Sequence, residues 1–120
     1  MEDRRLGIVE TQFADIIWEH EPIGSGELVR LCDKQLGWKK STTYTVLRKL
    51  CQQGLFQNEG GVVTAQVTKE EFAAMQGEKF IEERFEGSLP AFIAAFAARR
   101  RLSEAEIADI RRMIDNYKGE

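Results

Sequence analysis

With 120 residues, 42% apolar and 31% charged, the chain is sized for one domain or two small lobes and has only a limited core to bury. Its longest apolar run, residues 91–98, is far below the roughly 20 residues a membrane span needs, and the amino terminus shows no signal-peptide apolar segment. A cytoplasmic protein without membrane contact is expected. Two loosely placed cysteines, Cys32 and Cys51, exclude a disulfide framework and a thiolate metal site, and a single histidine, His20, excludes a histidine pair or dyad. Both thiols read as small reduced residues in or beside the core, and no metal or cofactor is expected. The net charge of −3 is unevenly spread: residues 1–33 carry −5, residues 34–58 carry +5 without a single acid, and residues 59–120 carry −3. That asymmetry points to a polyanionic partner more than the total argues against one.

In chain order, residues 1–10 read as polar and frayed, apart from Leu6, Ile8 and Val9, which are expected to start the core. From Thr11 as N-cap, Phe13, Ile16, Ile17 and His20 share one face of a first helix ending near Glu21-Pro22, with Trp18 to the side and His20 partly buried. Gly24-Ser25-Gly26-Glu27 is a turn and cap, and Leu28, Leu31, Cys32 and Leu36 form a short second helix closed by Gly37.

A third helix follows over residues 39–54. At 100° per residue, Thr43, Val46, Leu47 and Leu50 fall on one side, and Ser41, Thr45, Arg48 and Gln52 on the other, flanked by Thr42, Tyr44 and Lys49. Hydroxyls, an amide and cations without acids suit phosphates and base edges better than plain solvent. Two short amphipathic helices joined by a tight turn make the helix-turn-helix pattern.

Gly54 closes the third helix, residues 55–58 and 62–67 read as strands around Glu59-Gly60-Gly61, and a hairpin at this place is a wing. Beyond it, Thr68-Lys69-Glu70-Glu71 is a capping box opening a helix with Phe72, Met75, Ile81 and Phe85, in which Gly77 is a weak point. Gly87-Ser88 interrupts. Leu89, Phe92, Ile93 and Phe96 make a second stripe with Pro90 in its first turn, and Arg99-Arg100-Arg101 suits the dipole at a helix end. Ser103-Glu104-Ala105-Glu106 caps a last helix lined by Ile107, Ile110, Ile114 and Tyr117. These three helices carry more apolar stripe than a lobe of about fifty residues can hide, so a second copy is expected to cover Phe72, Phe85, Leu89, Phe92, Ile93, Phe96, Ile107, Ile110, Ile114 and Tyr117. The expected architecture is mainly α: a winged helix-turn-helix domain of three helices and a β-hairpin over residues 1–67, then an α-helical dimerisation lobe over 68–120.

The order Ile17-Trp18-Glu19, residues 38–49 with Thr42 and Thr45 ahead of Leu47, Leu50-Cys51-Gln52-Gln53-Gly54-Leu55, the wing, and Leu102-Ser103-Glu104-Ala105-Glu106-Ile107 together resemble the penicillinase-repressor family of bacterial winged-helix regulators. The resemblance runs from about Ile8 to Tyr117. It implies a homodimer on a palindromic DNA operator, with the third helix in the major groove and Thr42, Tyr44, Thr45 and Lys49 facing DNA; Ser41 stands where a lysine is frequent. The family's best-known members are inactivated by proteolysis at an Asn-Phe bond in the penultimate helix, and here the matching pair is Ala95-Phe96. Copper-responsive relatives carry a cysteine-rich carboxy-terminal motif, absent after Cys51. The wing reads Glu59-Gly60-Gly61-Val62 where a basic residue is common.

The function expected is therefore a transcriptional repressor that binds double-stranded DNA through Lys39, Lys40, Ser41, Thr42, Tyr44, Thr45, Arg48 and Lys49, and is released by an inducer or a protease. The alternative is a winged-helix module that docks a protein. An enzyme is not expected, because no glycine-rich phosphate loop and no compact nucleophile-base set is present.

Overall fold

A computed structural model describes residues 7–119. The elements run α1 (Ile8–His20), β1 (Ile23–Gly24), α2 (Ser25–Leu36), α3 (Lys40–Gln52), β2 (Phe56–Glu59), β3 (Val62–Ala65), α4 (Lys69–Arg84), α5 (Leu89–Arg99) and α6 (Glu104–Asn116). The molecule is a mainly helical winged helix with a small antiparallel sheet in the order β1-β3-β2. It divides into two compact units, residues 1–77 and 78–120, and α4 starts in the first and ends in the second.

In the first unit the helix ends follow local chemistry. α2 stops at Gly37, whose φ of 70° is the left-handed conformation in which its N–H closes onto Asp33 O. The hairpin pairs Glu59 with Val62, so its loop is the two residues Gly60-Gly61, both at positive φ, the conformation a two-residue turn of this hand demands. Strand β3 is held on both edges, by β2 and by the two-residue β1, and Ser25 N–H donates to Gly61 O at 2.8 Å. The hairpin is thereby fastened to the start of α2.

Every buried apolar side chain among the described residues lies in this unit, with Phe13, Ile17, Leu28, Leu50, Leu55, Phe56 and Val63 at its centre. Trp18 packs on the rings of Phe56 and Phe72 at 5.3 and 5.9 Å, and its indole N–H donates to Val67 O at 3.0 Å. Lys69 pairs with Asp15 at 3.0 Å, so the first turn of α4 is tied to α1 by a charge and by a ring.

Several expectations need correction. α1 begins at Ile8, three residues before Thr11, because the Glu10 carboxylate accepts the Gly7 N–H and supplies the missing cap. Ile8 and Val9 are exposed rather than in the core, and Leu6 lies outside the described residues. His20 is exposed, with Nδ1 2.8 Å from Ile16 O, since the core ends one turn earlier. β3 stops at Ala65, two residues short. Phe72 is buried in the first unit by Trp18, so it faces that core and not an open stripe.

The second unit holds two further caps. Ser103 and Glu106 form the reciprocal box, and Ser88 Oγ accepts the Ala91 N–H with Pro90 in the first turn. Phe80, Phe85, Phe92 and Phe96 form an aromatic row with centroids 5.5–6.2 Å apart, and the Arg100 guanidinium sits 5.3 Å from the Phe96 ring while pairing with Glu106. No side chain among residues 78–119 is buried.

Candidate nucleic-acid interface

The inner face of α3 is Thr43, Leu47 and Leu50, all buried, with Val46 partly so. Thr43 is polar and yet has no exposed surface; its hydroxyl donates to Lys39 O at 3.1 Å, and Cys32 lies in hydrogen-bonding contact with it. Burial pushes the Cys32 thiol up to about 11, the Thr43 contact working the other way, and burial also raises Cys51. Neither thiol is an activated nucleophile.

Fixing Thr43 inward turns the other face out. Lys39, Lys40, Ser41, Thr42, Thr45, Arg48 and Lys49 are exposed, and Tyr44 is half-buried. Lys39 is the N-cap residue and Lys40 the first residue of α3, so both cations stand at its leading end. Thr45 donates its hydroxyl to Ser41 O at 2.9 Å, leaving its oxygen lone pairs and methyl outward. Tyr44 donates to Ser25 Oγ at 3.1 Å, which ties α3 to the residue that also grips the hairpin loop. Arg48 borders an open cleft of about 190 Å³ with Tyr44, Leu47, Cys51 and the wing residue Asn58. The side chains expected to serve as a nucleic-acid surface therefore share one solvent-facing side of one helix, beside a wing.

Lys49 differs. Its Nζ donates to Glu10 Oε2 at 2.6 Å, and that hydrogen bond, followed by the one from Gly7 N–H, holds the Glu10 carboxyl below the usual carboxylate range. Sequence reasoning passed over Glu10 because 39 positions separate the partners and nothing in local pattern couples them.

A family model described as penicillinase repressor matches residues 6–116, nearly the whole chain. The chain belongs to the penicillinase repressor family. A penicillinase repressor from Bacillus licheniformis is 23% identical over 118 residues, spanning 95% of this chain and 92% of that protein. The family is one of DNA-binding transcriptional repressors, not an enzyme class. In this chain Ala95 and Phe96 lie inside α5, the penultimate helix.

Of the other expected contacts, Leu89, Ile93, Phe96, Ile107, Ile114 and Tyr117 are exposed, and Phe85, Phe92 and Ile110 are half-buried. Phe80 and Met113, 47% and 64% exposed, join them and went unassigned in the sequence. Phe80 is on the row of rings itself; Met113 immediately precedes Ile114. Among the described residues no group of acids, histidines and cysteines is arranged to hold a metal ion, and no helix is long and apolar enough to cross a membrane.

Proposed function

We propose that the protein is a cytoplasmic transcriptional repressor acting as a homodimer on a palindromic operator, with α3 entering the major groove. The observation that carries this reading is the outward face of α3: two lysines at its start, hydroxyls along it, Arg48 beyond them, and no acid between residues 34 and 58. Lys39, Lys40, Arg48 and Lys49 supply phosphate contacts that release counterions, and Ser41, Thr42, Tyr44 and Thr45 reach base edges. The wing offers Asn58 beside Arg48 and a bare glycine tip to the adjacent backbone.

Dimerisation is supported by the second unit, where apolar side chains are abundant and none is buried. One helix-turn-helix seldom makes enough contacts for a specific site, and a twofold pair doubles them, with half-sites about 34 Å or a multiple of it apart. Covering the apolar faces of α4–α6 with a second copy answers both needs. Occupancy of a promoter is then sufficient for repression.

Duplex titration at two salt concentrations tests the reading. Binding to the protein's own upstream region is expected to fall steeply with salt, and a footprint there is expected to show two related half-sites. A protein that ignores duplex DNA in dilute buffer, or binds without salt dependence, overturns it in favour of a protein-docking module.

A further inference from the structure

Five cations occupy residues 34–58, and Lys49 is the only one with an ion-pair partner among the described residues. The partner is contributed by a different helix and is itself held. Glu10 Oε1 accepts the Gly7 N–H at 3.2 Å while Oε2 accepts from Lys49 at 2.6 Å, and the Glu10 side chain is 24% exposed against 52% for Lys49. One end of the pair is therefore anchored in the first turn of α1, and the other can swing away.

We propose that Glu10 is a competitor built into the fold, holding Lys49 in the free protein so that a DNA phosphate must displace it. The inference rests on the DNA-binding reading above and deepens it. A half-exposed ion pair is weak enough for a phosphate to replace, but not without cost. Its cost is the same on any duplex, and it is the larger share of the binding on non-specific DNA, where phosphate contacts supply nearly all of the affinity. Glu10 thus subtracts from the part of the affinity that carries no sequence information. A free lysine at position 49 would strengthen binding to every duplex alike.

Glu10→Gln is the informative variant, because the amide oxygen still accepts the Gly7 N–H while the charge on Lys49 is released. Its affinity for an arbitrary duplex is expected to rise roughly two- to fivefold at low salt, with a steeper dependence on salt by up to about one unit of slope. In a Lys49→Ala background the same change is expected to do little. Glu27→Gln, on α2 and paired with Arg30, controls for net charge. A gain that is absent, or that persists undiminished without Lys49, overturns the proposal. Independently of any variant, the Glu10 side-chain carboxyl carbon is expected to shift towards an unpaired carboxylate when the wild type is saturated with duplex, and an unmoved resonance also overturns it. A wild type that binds no duplex at any salt sinks the repressor reading itself, a result distinct from either.

Discussion

The indole N–H of Trp18 donates to the carbonyl of Val67 at 3.0 Å, across 49 positions of sequence, and its ring lies against both Phe56 and Phe72. One side chain of α1 thereby holds the exit of the wing and the first turn of α4 together. Trp18→Ala is expected to lower stability by about 3–5 kcal/mol, whereas Trp18→Phe, which keeps a ring and forfeits the hydrogen bond, is expected to cost about 1–3 kcal/mol. Urea unfolding followed by circular dichroism measures both.

On α3, Arg48 and Thr45 are expected to separate affinity from selectivity. Arg48→Ala should weaken binding to all duplexes and reduce the salt slope by about 1, while Thr45→Ala should relax preference at one operator position and leave the slope in place. Lys49→Ala should have a smaller effect than Arg48→Ala, since Lys49 begins with a partner. Titrations against operator and scrambled duplexes over a salt series decide this.

In the second unit, Met113 and Ile114 are 64% and 66% exposed, so an acid there disturbs little within one chain. Met113→Asp and Ile114→Asp are expected to shift a dimer to monomer by analytical ultracentrifugation, with little change in helical content, and to weaken operator binding by tenfold or more as the two half-sites uncouple.

The cysteines are expected to differ in reactivity. Cys32, buried and pushed up to about 11, should resist a disulfide reagent at pH 8 until the protein unfolds; Cys51, half-buried and also raised by burial, should react slowly in the native state. Two fast thiols per native chain would contradict the packing around Thr43.

Glu106 is held below its ordinary value of 4.5, first by the Ser103 N–H and then by Arg100. A lowered native value means the carboxylate contributes stability that is complete above 4.5 and is lost as the pH falls through the native value. Wild type is expected to lose melting temperature in that acid window, and Glu106→Gln to lose less there while melting lower near neutral pH.

Much of this was legible because it is written locally. Gly37 ends α2, Gly60-Gly61 turns the hairpin, and Thr68 with Glu71 and Ser103 with Glu106 cap their helices, each within four residues. The outward set on α3 follows from helical period alone. What escaped depends on distant partners. The two-residue β1 exists only because β3 is there to pair with it, Phe72 turns inward because Trp18 meets it, and Glu10 meets Lys49 across 39 positions of sequence. Ile8 and Val9 look like core residues by type, yet among the described residues the core begins at Phe13.

The bond from Tyr44 to Ser25 has a chemical corollary. While the Tyr44 hydroxyl donates to that serine, the phenol oxygen has only lone pairs to present outward. In a major groove such an oxygen can greet an amino group, on adenine N6 or cytosine N4, and has nothing to give to guanine O6 or thymine O4. Operator positions beneath Tyr44 should therefore favour A or C on the strand it reads, and Ser25→Ala, by returning the proton, should soften that bias.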